Sequence, residues 1–426
     1  MDTTKTPRHK EDMGRRPASS VSSCLGGSKP LPPGWRWVKL GEVCEINPSK
    51  PLNFIRADDA PTSFVPMDAV DAVAGAITKR LLRPFGEVKK GYTYFAEGDV
   101  LFAKITPCMQ NGKHAIACSL TDGIGFGTTE FHVLRPSEQV LAEWIHFFVR
   151  QPHFLLKATE HFTGAVGQQR LPPEFLRDTL IPLPPLSEQR RIAGILREQM
   201  AAVERARAAA RARLEAVKAL PAAFLRQVFP QPAQPLPPGW RWVRLGEVAD
   251  VEMGQSPPGN SYNANGDGYP LLNGPTEFGA IHPTAVQWTT NPTKFAREGD
   301  ILFCVRGATT GRKNLADRVY CIGRGLAAIR GRPELSDTWF IWHALDVVAA
   351  VLLTKASGST FYNLPGDELA AASIPLPPLS EQRRIAGILR EQMAAVERAR
   401  AAAKAELEAI EALPAALLRR AFSGEL

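Results

Sequence analysis

The length of 426 residues and a composition that is 44% hydrophobic and 22% charged predict a globular protein of about three domain-sized units. The 51 Lys and Arg residues exceed the 43 Asp and Glu residues, and the net charge of +8 is compatible with a polyanionic partner without requiring one. The six cysteines form no CxxC pair, which argues against a disulfide scaffold and predicts free thiols in the cytoplasm.

Neither the N-terminal segment nor the most hydrophobic stretch has the pattern of a targeting or membrane signal. Residues 1–30 are rich in Ser, Gly, Pro and charge and have no apolar core, so they predict a disordered tail rather than a secretory signal. The most hydrophobic stretch, Trp339–Leu353, is interrupted by His343 and Asp346. Because charged groups are costly inside a bilayer, this stretch predicts a buried helix and no membrane partner.

Two sequence segments occur twice in the chain. LPPGWRWVKLGEV at Leu31–Val43 recurs with one change at Leu236–Val248, and thirty residues at Ile181–Ala210 recur identically at Ile374–Ala403. The sequences between the copies differ in length and composition, as loops do on a shared fold. A duplicated domain pair is therefore predicted: a tail (1–30), a first variable domain (31–180), a helical region (181–230), a linker (231–235), a second variable domain (236–373) and a second helical region (374–426).

The thirty-residue repeat predicts a long helix. From Ser187 to Leu220 it would be about 50 Å long at about 1.5 Å per residue. Two identical seams predict that the helices pack on each other antiparallel, although each could instead pack only on its own domain. The seam residues, at seven-residue spacing, are Leu196, Val203, Ala210 and Val217 in the first copy and Leu389, Val396, Ala403 and Ile410 in the second.

The variable blocks share an outline. In each, a Gly-Asp turn precedes a short hydrophobic strand, which runs into a polar loop at Thr106–His114 or Gly307–Asn314. Further loops rich in Gly, Pro and Asn predict a sheet with helices and long exposed loops. The predicted fold class is therefore α+β: two such domains joined and separated by two long antiparallel coiled-coil helices, with a pseudo-twofold internal repeat.

Motifs for catalysis are absent from the sequence. There is no GxxxxGK[ST], GxSxG or HExxH motif, and the eight histidines have no metal-ligand spacing. The sequence therefore predicts a binding protein rather than an enzyme, with no metal or cofactor of its own.

Polar segments recur at equivalent places in the two halves. Gln168–Arg170 and Ser359–Asn363 carry Gln, Arg, Ser, Tyr and Asn side chains. Asn, Gln and Arg can each make two hydrogen bonds to a base edge, whereas the alternative is an ordinary solvated loop. Recurrence at matched positions with different residues favours a surface that reads DNA.

The repeated motifs resemble the specificity (HsdS-type) subunits of type I restriction–modification systems. The resemblance rests on WVKLGEV and WVRLGEV, GDVLFAKITP and GDILFCVRG, IPLPPLSEQRRIA, and the final LPAALLRRAFSGEL, and it covers Leu31–Leu426. In that family two target-recognition domains each read one half of a split DNA site, and the helices hold them apart and dock the methyltransferase. The family pattern does not account for residues 1–30.

The resemblance implies a non-catalytic subunit with several partners. These are double-stranded DNA, two methyltransferase subunits that use S-adenosylmethionine, and two restriction–translocase subunits that use ATP and Mg²⁺. Two other hypotheses stay open: the recognition subunit of a type II enzyme with a separate catalytic chain, and a protein-interaction scaffold that does not bind DNA.

The candidate DNA-binding residues combine these polar segments with the strand and loop that the resemblance implies face DNA. They are Lys104, Thr106, Gln110, Asn111, Lys113, Gln168, Gln169 and Arg170 in the first domain, and Arg306, Thr309, Thr310, Arg312, Lys313, Ser359, Thr360, Tyr362 and Asn363 in the second.

Overall fold

The computed structural model describes residues 31–52, 54–165, 169–230, 234–355 and 363–426. The chain divides into two compact units. Unit 1 comprises the described residues up to Arg207 together with Ala409–Leu426, and unit 2 comprises those of Ala208–Glu408. Both units combine sheets and helices, so the predicted α+β class is confirmed.

Unit 1 is built on two four-stranded sheets, with strand orders β6-β3-β10-β7 and β2-β11-β8-β9, and two strand pairs, β1-β12 and β4-β5. Its strands are β1 (Arg36–Lys39), β2 (Cys44–Ile46), β3 (Pro61–Val65), β4 (Val70–Asp71), β5 (Ala76–Ile77), β6 (Leu81–Pro84), β7 (Thr93–Ala96), β8 (Val100–Ala103), β9 (His114–Ile116), β10 (Ile124–Gly127), β11 (Phe131–Pro136) and β12 (Leu180–Leu183). Its helices are α1 (Leu40–Val43), α2 (Phe85–Val88), α3 (Ala142–Val149), α4 (Pro152–Thr159), α5 (Pro173–Asp178) and the start of α6 (Leu186–Val228).

Unit 2 repeats this plan with a four-stranded sheet, β14-β22-β19-β20, a five-stranded sheet, β15-β17-β16-β21-β18, and the pair β13-β23. Its strands are β13 (Arg241–Arg244), β14 (Ala249–Met253), β15 (Tyr262–Asn263), β16 (Tyr269–Leu272), β17 (Trp288–Thr289), β18 (Phe295–Ala296), β19 (Ile301–Cys304), β20 (Lys313–Leu315), β21 (Tyr320–Ile322), β22 (Leu326–Gly331) and β23 (Ser373–Leu376). Its helices are α7 (Leu245–Val248), α8 (Thr338–Lys355), α9 (Gly366–Ala370) and most of α10 (Leu379–Phe422). Among the described residues, no helix has the length and apolar character needed to span a membrane.

In each half of the chain, the two repeated segments pair as antiparallel strands. β1, from the first repeated segment, pairs antiparallel with β12, from the second repeated segment, with Val38 opposite Ile181. β13 and β23 pair in the same register, with Val243 opposite Ile374. The second repeated segment therefore begins as a strand rather than a helix. The long helix begins only after the two prolines that follow this strand. This strand pair joins each domain to its long helix.

The first long helix continues beyond Leu220, the last residue of the helix predicted from Ser187, and stays within residues 181–230. α6 continues past Leu220 to Val228, through Pro221, although proline removes a backbone hydrogen bond and crowds the preceding turn. The turns after this proline carry Phe224 and Leu225, which pack against the core of unit 2. We attribute the continuation to this apolar burial, which a reading of local propensity does not include.

Within each unit, the start of one helix packs beside the end of the other. Ile192 at the start of α6 shares the core of unit 1 with Leu418 near the end of α10. In unit 2, Leu389 near the start of α10 shares a core with Leu225 of α6. The helices thus contact both their own domain and each other. Of the seam residues, Leu196, Val203, Ala210, Leu389, Val396 and Ala403 are buried, and Val217 and Ile410 are half-buried.

The repeated Gly-Asp pair has a structural role. Asp99 is buried and accepts two hydrogen bonds from the Arg135 guanidinium, at 2.9 and 2.7 Å. Asp300 and Arg330 form the same pair in unit 2. The preceding glycines have φ of +86° and +83°, a conformation that glycine adopts without strain. The motif therefore closes the turn before β8 and β19 and ties each strand to its neighbour.

A buried glutamine anchors each long helix to its domain. The Gln189 Oε1 atom accepts a hydrogen bond from the Leu141 N–H at 2.9 Å, and its Nε2 donates to the carbonyls of Gln139 (3.0 Å) and Pro184 (2.9 Å). Gln382 makes the equivalent three bonds in unit 2. These side chains satisfy the backbone of the loop before α3 and α8, and so fix where the helix leaves the domain.

We expect Gln189→Ala to lower the free energy of unfolding of unit 1 by about 3 kcal/mol. The substitution leaves three backbone groups without a partner in a buried place, at about 1–3 kcal/mol each before relaxation. Chemical denaturation monitored by circular dichroism measures the change. Gln227→Ala, at an exposed position of the same helix, is the control and should change stability by less than about 0.5 kcal/mol. Equal effects of the two substitutions would contradict the anchoring role.

Candidate nucleic-acid interface

In unit 1, backbone hydrogen bonds bring several of the candidate residues together. The Lys104 N–H donates to the Glu130 carbonyl at 2.9 Å, and the Lys104 carbonyl accepts from the Leu171 N–H at 2.9 Å. The Thr106 N–H donates to the Gln169 carbonyl at 3.2 Å. The chain after β8, the turn before β11 and the segment before α5 therefore form one surface that carries Lys104, Thr106, Gln169 and Arg170.

An ion pair dominates this surface. The Arg170 guanidinium donates from Nε and Nη2 to the two carboxylate oxygens of Glu130, at 2.9 and 2.7 Å. Arg170 holds the pKa of the Glu130 carboxyl below its usual range. Burial lowers the pKa of the neighbouring Lys104 ammonium, and Glu130 partly offsets that effect. Glu130 was missed in the sequence, because a lone acid in a basic candidate site has no pattern of its own.

Lys104 also lines a basic cleft of about 350 Å³. Lys50 and Lys89 line it together with Tyr92 and Tyr94. Lys89 is also bound to Asp58 at 2.7 and 2.8 Å, so its charge is partly neutralised. Basic and aromatic side chains in one groove suit a nucleic-acid backbone and its bases. Lys50 and Lys89 are not among the DNA-binding residues predicted from the sequence, since they come from separate loops.

The polar loop after β8 does not present a single face. Gln110 and Asn111 are exposed and line a different cavity, of about 700 Å³, together with Arg150. Lys113 is half-buried, and its Nζ donates to the Met67 carbonyl at 3.0 Å. The structure therefore places Lys104, Thr106, Gln169 and Arg170 together and does not bring Gln110, Asn111 or Lys113 into that group.

In unit 2, an isolated bridge joins Arg306 to Asn363 at the place equivalent to the Ile105–Arg170 bridge of unit 1. Arg306, Arg312 and Asn363 are exposed. The hydroxyls of the two threonines in the loop turn inward: Thr310 Oγ1 donates to the Gly307 carbonyl at 2.7 Å, and Thr309 Oγ1 lies 3.5 Å from the Cys304 Sγ. Gln168, Ser359, Thr360 and Tyr362 lie outside the described residues.

The assignment of Lys313 as a DNA contact has to be corrected. Its side chain is 8% exposed, and its Nζ binds the Asp346 carboxylate and the Trp342 carbonyl. The ammonium also lies 4.7 Å from the centre of the Trp342 ring. Burial lowers the pKa of Lys313. The Lys313 ammonium is therefore occupied by partners on α8, which argues for an ion pair within unit 2 rather than for a DNA contact.

We expect Lys104→Ala and Lys313→Ala to have different effects. The first should weaken DNA binding by the assembled complex and reduce the slope of log K against log salt by about 1, because one phosphate contact is lost. The second should leave that slope unchanged and lower unfolding free energy by about 2 kcal/mol, since Asp346 loses its partner but is partly exposed. Salt titrations and chemical denaturation measure these quantities. A reduced salt slope for Lys313→Ala would restore the original assignment.

Among the residues that the structure describes, no cluster of three or more His, Cys, Asp or Glu side chains could hold a metal ion. The arrangement on these surfaces supports hydrogen bonding and charge pairing with a polyanion.

The family model for the type I restriction modification DNA specificity domain matches residues 32–209 and 237–409. The chain is 41% identical to the EcoEI specificity subunit of Escherichia coli over 171 residues, which are 40% of this chain and 28% of that subunit. The match thus spans less than a third of the length of this relative.

Two solved structures resemble the fold over almost the whole chain. One comes from a study of complex assembly and conformational transition of the type I R-M system; it has a TM-score of 0.79 and 35% identity, and the match covers 93% of this chain and all of that one. The other is the HsdS subunit from Thermoanaerobacter tengcongensis, with a TM-score of 0.66, 36% identity and coverage of 94% and 99%. Since the family model also matches well over half of the residues, in two copies, this chain belongs to the family of type I restriction–modification DNA specificity proteins.

Proposed function

We propose that this chain is the DNA-specificity subunit of a type I restriction–modification complex. Each variable domain reads one half of a split DNA site, and α6 and α10 serve as the spacer and as the docking scaffold for methyltransferase subunits. One observation carries the proposal: the same strand pair and the same buried glutamine attach an identical helix start to two domains whose equivalent surface residues differ.

The difference lies at a defined position. The bridge between the end of the central strand and the segment before α5 or α9 carries Ile105 and Arg170 in unit 1, but Arg306 and Asn363 in unit 2. A part that meets the same partner in both halves keeps its sequence, whereas two parts that read different bases diverge. A scaffold that binds one protein twice would instead keep both surfaces alike.

The proposal includes the partners and their chemistry. Two methyltransferase subunits using S-adenosylmethionine and two restriction–translocase subunits using ATP and Mg²⁺ would supply the reactions, and this chain would supply only recognition. Reading genomic DNA would place it in the cytoplasm. The basic cleft beside Lys104 suits contact with the DNA backbone.

Co-expression with the methyltransferase subunit encoded nearest to it, in a host that lacks the system, tests the proposal. Mapping of methylated adenines should show a split site with unread bases between its halves, and omission of this chain should abolish the modification. The purified chain alone should show no nuclease, methyltransferase or ATPase turnover. A short continuous site would favour the type II alternative, and unchanged methylation without this chain would favour a scaffold.

A further inference from the structure

The basic cleft of unit 1 has a counterpart in unit 2. A cleft of about 400 Å³ lies there beside β14, β18 and β22, which occupy the places of β2, β7 and β11 around the basic cleft. Val133 lines the cleft of unit 1 and Ala328 that of unit 2. Each lies two residues before the arginine that binds the buried aspartate of its unit. The two clefts are therefore the same feature of the shared fold.

Asn47 and Glu252 are equivalent residues at the edges of these clefts. The Asn47 N–H donates to the Val133 carbonyl at 2.7 Å, and Glu252 lies directly opposite Ala328 in the sheet. Asn47 lines the cleft of unit 1 and Glu252 that of unit 2. Unit 2 therefore has a carboxylate where unit 1 has an uncharged amide.

The Glu252 carboxylate is paired with a cation of its own unit. The Lys294 Nζ atom lies 2.5 Å from the Glu252 Oε1 atom, and the two side chains are 44% and 45% exposed. Lys294 lies six residues before the buried aspartate of unit 2, as Thr93 does in unit 1, and both residues line their clefts. The ion pair thus occupies two positions that are uncharged in unit 1, and it neutralises the lysine within the unit 2 cleft.

Three lysines and no carboxylate line the basic cleft of unit 1, and one of these lysines is already paired with Asp58. Among the described residues, the Lys50 ammonium has as its partners the rings of Phe54 and Phe85, whose centres lie 5.9 and 5.7 Å away, and no carboxylate. The half-buried Lys104 ammonium forms no hydrogen bond or ion pair with this part of the chain. A cation that is partly removed from water is stabilised by a nearby anion, so these two ammonium groups suit a phosphate.

We propose that the basic cleft of unit 1 binds a phosphate of the DNA backbone, and that the Glu252–Lys294 ion pair closes the equivalent cleft of unit 2 to phosphate. Tyr92 and Thr93 also line the basic cleft and carry hydroxyl donors for the same phosphate. This inference rests on the proposed DNA-specificity function and assigns this backbone contact to the first domain alone.

The test measures how duplex binding by the assembled complex depends on salt, with DNA that carries the methylated site. Lys50→Gln should reduce the slope of log K against log salt by about 1, because one phosphate contact is lost. Lys294→Gln should leave the slope unchanged, because Glu252 already neutralises that charge. Lys79→Gln is the matched control in unit 1: this lysine is exposed, lies outside the cleft lining and is paired with Asp68. It should leave the slope unchanged.

Glu252→Gln should have the opposite effect. Loss of the carboxylate frees the Lys294 ammonium, so the slope should become steeper by about 1 and binding at low salt should become tighter. The double variant Glu252→Gln/Lys294→Gln should lose this gain. Glu334→Gln, which removes an exposed carboxylate of unit 2 outside the cleft lining, is the control for net charge. The methylated sequence should be the same for every variant, because phosphate contacts position a protein without reading bases.

Several outcomes would overturn the inference. Equal slopes for Lys50→Gln and Lys79→Gln would refute the phosphate site, and an unchanged slope for Glu252→Gln would refute the closure of the second cleft. A base position relaxed by Lys50→Gln would mean that the cleft reads a base. If Glu252→Gln does not assemble, equal slopes for Lys50→Gln and Lys294→Gln refute the inference. Absence of a split methylated site with the unsubstituted chain would refute the proposed function, whereas a split site with unaltered slopes refutes this inference alone.

Discussion

Exchange of the second variable block for that of a relative should replace one half of the methylated DNA site and leave the other half unchanged. The block Leu236–Ser373 contains the sheets of unit 2, and it joins the constant helix through β13, α7 and β23. An exchange confined to residues 249–372 keeps these three elements native. The strand pairing and the Gln382 anchor beyond them would then still set the place where the helix leaves the domain, although two of the backbone partners of Gln382 would come from the relative.

The structure also says which relatives are suitable donors for this exchange. Ile301, Phe303 and Ile329 of the block share a core with Ile385 and Leu389 of α10. A donor with apolar residues of similar volume at the first three positions keeps that core packed, whereas a smaller residue leaves a cavity that costs about 1–3 kcal/mol. Methylated-site mapping measures the outcome, and exchange of the first block is the reciprocal control. A change in both halves of the site after either exchange would rule out two independent readers.

Insertion of seven residues into both long helices should lengthen the unread spacer and leave both half-sites unchanged. The insertions belong within Glu198–Leu214 of α6 and at the equivalent place, Glu391–Leu407, of α10. Seven residues add about 10 Å of helix and keep the seam in phase, because the apolar residues repeat every seven positions. About 10 Å corresponds to about three base pairs of duplex, so methylation should move to sites with a spacer longer by that amount.

Two controls make the heptad experiment decisive. An insertion of five residues in each helix turns the seam by about 140° to the wrong face and should abolish assembly of the complex. A heptad inserted into α6 alone should do the same, because residues such as Arg213 and Glu406, bonded at 2.7 Å, would no longer meet. Methylation of the original site with its original spacer by the doubly extended protein would show that the helices do not set the spacing.

The contrast between Lys104 and Lys313 shows how far side-chain type can predict a site. Both lysines belong to the strand and loop that the resemblance implies face DNA. They differ only in the groups that surround them in the folded chain. Lys104 lines an open basic cleft, whereas Lys313 lies beneath α8 and pairs with Asp346. Asp346 was noted in the sequence only as an interruption of a hydrophobic stretch. A charged residue in such a helix can indicate a buried ion pair as well as a solvent-facing position.

The sequence by itself determined the duplication, the order of variable and constant parts and the two long helices, because identity between copies and a seven-residue apolar period are local patterns. Only the tertiary structure decided that the two repeated segments form a strand pair in each half and that Gln189 and Gln382 anchor the helices. It also decided that Glu130 binds Arg170 across 40 residues of sequence. These contacts depend on sheet register and on which groups lose water on folding. Neither can be read from spacing along the chain.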